Sequence, residues 1–332
     1  MDMARKLLNY EQLQACLFSR IPPADFMAHD CSPLLDEETQ QKTVSDLLKI
    51  AETNAYYIKL FLAQYVRLLE KSASVIDELY ELYCEPRILN AQERPPTATD
   101  LLQYAVDSKG EYISIRETPR IISGAGTTGL RTWEAALFLS NYLNNLSSSS
   151  ELLRGKNILE LGTGTGLVSL ALMKKHTDHG FSSIELTDGD SALLEKLPDA
   201  IQLNGLADSV PVKVSQLIWG EQESYQDPKK TETIVDVIVA ADVTYDASVV
   251  PQLCDTLSYF FEGGTSVAYV AATIRNLDTI EVWEKELEDR FSWSVCARLS
   301  DPHMSDLRCW FRKGTPEIRL YEIKPRHKEG AY

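Results

Sequence analysis

The feature that most limits the fold is Glu160-Leu161-Gly162-Thr163-Gly164-Thr165-Gly166. It lies between a strand-sized apolar run, Asn157-Ile158-Leu159-Glu160-Leu161, and a helical run over 167–175. Glycines spaced this way let the backbone turn sharply and let a ligand approach the main chain. A strand that ends in such a loop and feeds a helix belongs to an open α/β sheet, where ligands lie across the carboxyl ends of the strands. The chain beyond the loop keeps the same alternation. Ser183-Ile184-Glu185-Leu186-Thr187 predicts a strand, and Leu193, Leu194, Leu197, Ala200 and Ile201 form a helical face. Residues 210–218 predict the next strand. Val235-Asp236-Val237-Ile238-Val239-Ala240-Ala241 is nearly all apolar, as in the middle of a parallel sheet. Residues 249–260 predict a helix, 266–272 a strand and 277–289 a helix. Two closing strands are expected near 293–299 and 317–323. This succession predicts an α/β, doubly wound sheet.

The region before the loop reads differently. Apolar residues recur at Val44, Leu47, Leu48 and Ala51, at Ile58, Phe61, Leu62, Tyr65 and Leu69, and at Val75, Leu79, Leu82 and Tyr83. Steps of three and four are those of helices that bury one face. Ile21-Pro22-Pro23 stops an earlier helix over 10–17. No glycine precedes Gly110, so tight ligand loops have little room here. Pro86, Pro95 and Pro96 mark a linker. Tyr112 to Arg116 alternates as a short strand does. Gly124-Ala125-Gly126-Thr127-Thr128-Gly129 follows, and a helix is expected from Arg131-Thr132-Trp133-Glu134 onward, with Thr132 as its N-cap and Ser147 to Ser150 at its end.

The loop chemistry narrows the ligand. A dinucleotide fingerprint runs G-x-G-x-x-G, whereas this loop runs G-x-G-x-G, with Leu167 where the third fingerprint glycine would fall. An acid, Glu160, stands two residues before the first glycine. S-adenosylmethionine carries a cationic sulfonium and amine and no pyrophosphate, and an acid such as Glu160 would favour it, directly or through water. Asp188 ends the next strand, 22 positions past Gly166. The two oxygens of a carboxylate match a vicinal ribose diol. Asp190 competes for that role, and either acid could instead cap the following helix.

Four segments then line up. They are Thr132-Trp133-Glu134-Ala135-Ala136, the glycine loop from Leu159 to Val168, Leu217-Ile218-Trp219-Gly220, and Ala240-Ala241-Asp242-Val243-Thr244-Tyr245-Asp246. This set resembles methyltransferase family 16, the seven-strand protein-lysine methyltransferases, over roughly residues 110 to 325. The segment Gly126 to Trp133 and the helical extension look like the branch that trimethylates a lysine of translation elongation factor 2. The resemblance implies a seven-stranded Rossmann-like methyltransferase sheet with an antiparallel last strand, and S-adenosyl-L-methionine as cofactor. It places Trp133 near the methionine end, backbone contacts at Gly162, Thr163 and Gly164, the ribose on Asp188, and Trp219 near the adenine. Ala241 and Asp242 would line the floor below the sulfonium. Asp242 is expected to orient the lysine ammonium and help it deprotonate, directly or through water, with Tyr245 walling the lysine channel or hydrogen-bonding the amine. Trp283, Trp293 and Trp310 fall outside every motif and are read as structural.

These readings divide the chain into a helical domain over 1–90, expected to recognise the protein substrate, and a linker over 91–110. A strand, loop and helix over 111–150 would cover the cofactor site. The methyltransferase domain would span 151–325, with a tail over 326–332. The formal net charge of -16 removes any general pull toward phosphate backbones, so nucleic acid is not the expected partner. Cys16, Cys31, Cys84, Cys254, Cys296 and Cys309 form no C-x-x-C pair and suit a reducing compartment. With no leader-like start and no bilayer-length apolar run, cytoplasm is expected.

Overall fold

The computed structural model describes residues 8–121, 128–146, 149–221, 234–301, 307–312 and 314–326. Residues 124–127 of the glycine-rich segment before Trp133, and Ser147 and Ser148 of the serine run, lie outside that set.

The chain opens with helices α1 (Tyr10–Phe18), α2 (Pro23–Phe26), α3 (Glu37–Ser72), α4 (Asp77–Cys84) and α5 (Pro86–Leu89). Their apolar faces meet in one core around Leu13, Leu47, Phe61, Leu62, Tyr65 and Leu79. Asp36 caps α3 by accepting the Thr39 amide at 2.9 Å. Inside α3, Asn54 leaves helical geometry (φ -149°, ψ 72°) and the helix kinks. The Asn54 carboxamide oxygen accepts the Tyr57 amide at 3.0 Å, so it caps the second half of the helix.

The expected linker is not a bare linker. Strand β1 (Asp100–Ala105) lies within it and pairs antiparallel with β2 (Tyr112–Glu117). Tyr112 packs against both the helical core and the core of the main sheet. Trp310, from the segment before the last strand, is buried in the helical core, with His29 edge-on at 5.0 Å. The N-terminal helices therefore share apolar surface with the rest of the chain.

The remaining elements are α6 (Glu134–Asn145), α7 (Ser149–Leu153), β3 (Asn157–Leu161), α8 (Leu167–Lys174), α9 (His176–His179), β4 (Ser183–Asp188), α10 (Ser191–Leu194), α11 (Leu197–Leu203), β5 (Val212–Gln216), β6 (Val237–Ala241), α12 (Val250–Glu262), β7 (Val267–Thr273), α13 (Leu277–Arg290), β8 (Phe291–Arg298) and β9 (Ile318–Pro325). Seven strands form one sheet in the order β5-β4-β3-β6-β7-β9-β8. Neighbours from β5 to β7 are parallel, and β9 runs antiparallel between β7 and β8. This is the expected seven-stranded, doubly wound sheet with its last strand reversed. The strands β6 and β7 are almost wholly apolar because both sheet faces are covered. One face packs under α6, α8 and the hairpin, the other under α12 and α13 with Trp283 at its centre. Trp293 packs at the edge of that second core. No described helix is long and apolar enough to cross a membrane.

Strand order reverses at β3, because β4 lies on one side of it and β6 on the other. A crevice opens at the carboxyl ends of the strands at such a switch point.

A buried polar knot ties the helices to the hairpin. The Asp100 carboxylate accepts the Asn54 carboxamide at 2.5 Å and faces Arg20 Nε at 3.6 Å. The Arg20 and Asp100 side chains are 8% and 5% exposed. Arg20 also donates to the carbonyls of Leu17, Phe18 and Leu101. Removing the carboxylate strands a guanidinium away from water. Asp100→Ala is expected to cost about 3–5 kcal/mol of unfolding free energy, read by denaturant titration. A cost of about 1 kcal/mol or less, typical of a surface ion pair, would show that the knot is not a buried clamp.

Candidate active site

The turn after β3 sets one wall. Gly162, Gly164 and Gly166 all adopt positive φ, at 63°, 51° and 83°. A Cβ on Gly162 would lie 2.8 Å from Val243 Cγ1 and 3.1 Å from the Trp219 ring, so only glycine lets those groups close over the turn. Thr163 donates its amide to the Thr187 carbonyl at 2.9 Å, and Thr187 Oγ1 donates to the Glu160 carbonyl at 2.6 Å. These bonds register the turn against the end of β4.

Glu160 does not stand where its place in the motif suggested. It is 2% exposed and lies under the loop, outside the crevice lining. Its carboxylate accepts the Thr163 hydroxyl at 2.8 Å, the Ser169 amide at 3.2 Å and the Ser169 hydroxyl. All three bonds fall on Oε2, so the acid closes the loop onto the start of α8 through one of its oxygens. Burial pushes its pKa up to about 7 against the pull of these donors.

The two candidate ribose acids take different positions. Asp190 is the N-cap of α10, accepting the Ala192 amide at 2.8 Å. Asp188 accepts one backbone amide on each oxygen, Gly164 at 2.9 Å and Asp190 at 3.0 Å. Each oxygen keeps acceptor capacity toward the crevice. Burial raises the Asp188 pKa, and among the described residues no cation pairs with it.

The opposite wall comes from the start of α6. Trp133, not Thr132, is the N-cap residue. Thr132 is drawn elsewhere, its hydroxyl lying 2.8 Å from the Thr165 hydroxyl and its amide donating to Glu117 at 2.6 Å. Glu117 is buried at the end of β2 and also accepts the Tyr104 hydroxyl at 2.7 Å. The hairpin thus fixes the entry to α6. The Trp133 indole N–H donates to the Thr128 carbonyl at 2.9 Å, and the Arg131 and Arg275 guanidiniums stack on its ring at 4.5 and 4.7 Å.

The floor is the end of β6. Asp242 takes the left-handed region (φ 54°), and its amide continues the ladder to the Ala271 carbonyl. Its carboxylate accepts the Thr273 amide and hydroxyl, both Arg275 terminal nitrogens and, at 3.4 Å, the Ala135 amide. Asp242 therefore borders the crevice with its oxygens already engaged. That arrangement does not fit the expectation of a carboxylate open to a substrate proton. Tyr245 stands at the rim, 56% exposed.

These walls enclose about 830 Å³, within the usual size of small-molecule sites. The structure brings Trp133, Gly162, Thr163, Gly164, Asp188, Trp219, Ala241, Asp242 and Tyr245 to this one crevice. Glu160 alone of the expected site residues is set back from it. The sequence reading missed Glu117, Arg131, Val243 and Arg275. Val243 lies inside the Ala240-to-Asp246 motif and Arg131 stands two residues before Trp133, whereas Glu117 and Arg275 belong to no motif.

A sequence profile described as lysine methyltransferase matches residues 118–289, about half of the chain and the segment that builds both crevice walls. The chain is 32% identical over 269 residues to protein-lysine N-methyltransferase EFM3 of Saccharomyces cerevisiae, covering 73% of this chain and 76% of that protein. The chain belongs to the lysine methyltransferase family. The EFM3 of Chaetomium thermophilum is 38% identical over 223 residues, covering 64% of this chain and 63% of its own. Human protein-lysine N-methyltransferase EEF2KMT is 31% identical over 245 residues, covering 70% and 69%. The protein is an S-adenosylmethionine-dependent protein-lysine methyltransferase, and the resemblance drawn from its motifs holds at that level.

The chain's own residues fit this cofactor. Asp188 offers two oxygens on a buried carboxylate, the glycine turn exposes backbone, and two tryptophans flank the space.

The pKa of Glu160 gives a pH test. Its folded value, about 7, lies above the ordinary 4.5, so the folded state holds the proton more tightly. The stability contributed by protonated Glu160 is complete below about pH 4.5 and is lost as pH rises through about 7. Glu160→Gln cannot ionise. Its stability relative to the parent should rise between pH 5 and 8.5 by on the order of 3 kcal/mol. Parallel unfolding curves across that range would contradict a buried, proton-holding acid.

Proposed function

We propose that the acceptor is a lysine of translation elongation factor 2, which the enzyme trimethylates in the cytoplasm. The segment preceding Trp133, the helical extension and the likeness to human EEF2KMT over 70% of this chain support that acceptor. The net charge of -16 also suits a basic protein surface.

The bound cofactor supplies a methyl group on an activated sulfonium. The chain's work is to hold and align. Asp188 accepts the ribose hydroxyls, the backbone at Gly162, Thr163 and Gly164 and the Trp219 ring hold the adenosine, and Trp133 covers the methionine end. Ala241 and Asp242 form the floor. Tyr245, at the rim, walls the path of the incoming side chain. A free lysine has a pKa of about 10.4 and must shed a proton before its nitrogen can attack. The crevice is open to water, which can take that proton. Most of the rate gain then comes from alignment of amine and methyl.

The N-terminal helices are the surface proposed to recognise the folded acceptor protein. Their own core and their polar knot with the hairpin make them a rigid platform next to the wall that carries Trp133.

The carrying observation is a crevice bounded by Asp188 and by Trp133, in a chain of this family. Mass spectrometry of elongation factor 2 from cells with and without the gene tests the acceptor. The expected result is a trimethylated lysine that reverts to unmodified lysine on deletion. Unchanged elongation factor 2, with another protein losing its methyl groups, would refute this acceptor and leave the family assignment standing.

A further inference from the structure

Asp242 has too many partners for a base. A carboxylate has about four lone-pair sites. Here Oδ1 accepts the Thr273 amide at 2.9 Å and Arg275 Nη1 at 3.2 Å. Oδ2 accepts Thr273 Oγ1 at 3.0 Å, Arg275 Nη2 at 3.3 Å and the Ala135 amide at 3.4 Å. The Asp242 side chain is 7% exposed. An arriving ammonium would find no acceptor free unless Arg275 first withdrew.

Arg275 is held against withdrawal. The same guanidinium donates to Glu134 at 2.9 Å and stacks on the Trp133 ring at 4.7 Å. Glu134 also faces Arg131 at 3.6 Å, and Arg131 stacks on the same ring at 4.5 Å. Arg131, Trp133 and Asp242 border the crevice, whereas Arg275 does not. It braces Asp242 from outside the crevice lining. A planar fork that pairs with a carboxylate and stacks on an indole at once is a task for arginine and not for lysine.

We infer that Arg275 is a positioning residue, which clamps Asp242 at the end of β6 to Trp133 and the first turn of α6, so that the Asp242–Arg275 pair is a strut of the crevice and not its proton acceptor. Through the Ala135 amide and the indole face, the strut sets the distance between floor and covering wall. Substrate amine reaches the crevice already neutral, by losing its proton to solvent.

The full-length protein and four variants test this: Arg275→Gln, Arg275→Lys, Asp242→Asn and the double variant Arg275→Gln/Asp242→Asn. S-adenosylhomocysteine affinity is measured by calorimetry, and methyl transfer to elongation factor 2 is followed from pH 6.5 to 9.5. A strut predicts that Arg275→Gln and Asp242→Asn each weaken S-adenosylhomocysteine and lower kcat by roughly tenfold or more, as misplacement of aligned groups does. It predicts that the double variant is no worse than the poorer single one. Arg275→Lys should not restore activity, and the rise of rate with pH should persist in Asp242→Asn. If Arg275→Gln melts well below the parent, Arg275→Met, which keeps the stem over the indole, replaces it in the cycle.

Multiplying losses in the double variant would overturn the inference. So would an Arg275→Gln enzyme within twofold of the parent beside an inactive Asp242→Asn, or loss of the pH-dependent limb in Asp242→Asn. The inference rests on the crevice being the cofactor site, and its affinity cycle needs no acceptor protein. A parent enzyme that binds S-adenosylhomocysteine but leaves elongation factor 2 unmodified refutes the acceptor alone, and the affinity cycle still decides the strut.

Discussion

A buried carboxylate under a glycine turn holds this site open. Glu160 gathers Thr163 and both polar groups of Ser169, so the turn after β3 is pinned to the start of α8. That turn must place Gly162 against Val243 and Trp219 and offer the Gly164 amide to Asp188. The pin acts together with the Thr163–Thr187 and Gly164–Asp188 bonds to hold three glycines, each free to take positive φ, in a single conformation. The crevice exists because the main chain is folded away from it, and the buried acid keeps it folded away.

The second wall is set from a distance. Glu117, at the end of the hairpin, holds the Thr132 amide, and Thr132 in turn meets Thr165 of the glycine turn. Asp242 reaches across from β6 to the Ala135 amide. The second wall is thus tied to the glycine turn through a pair of hydroxyls and to the floor through a carboxylate. The hairpin is itself knotted to the N-terminal helices by Asp100, Arg20 and Asn54. A continuous set of polar contacts therefore runs from the helical region to the turn. This is why the region before Gly110, although it carries no ligand loop, belongs to the architecture of the site.

Much of the sheet was legible because each strand buried on both faces leaves an apolar run, and each helix a three-to-four-residue stripe. The glycine spacing likewise located the turn. What stayed hidden depends on partners far away in the chain. Strand β1 is hard to read from Asp100-Leu101-Leu102-Gln103-Tyr104-Ala105 because its residue types do not alternate, with Asp100 on the buried face and Leu101 on the other. The structural role of Glu160 is not legible in the sequence, because its partner Ser169 lies nine residues on, across the turn. Asp242 drew attention as a strand-end acid, but its saturation comes from Ala135, Thr273 and Arg275, which sequence alone cannot bring together. Asp188 and Asp190 could be told apart only once the helix they flank had a start.

The central claim is that one crevice, at the carboxyl ends of β3, β4 and β6, holds the methyl donor with its ribose on Asp188. A crystal structure of the protein with S-adenosylhomocysteine tests it most directly. The account predicts the nucleoside between the glycine turn and Trp219, both ribose hydroxyls within hydrogen-bond reach of the Asp188 carboxylate, and the amino-acid end beside Trp133. Ligand density elsewhere, or a ribose turned away from Asp188, would contradict it.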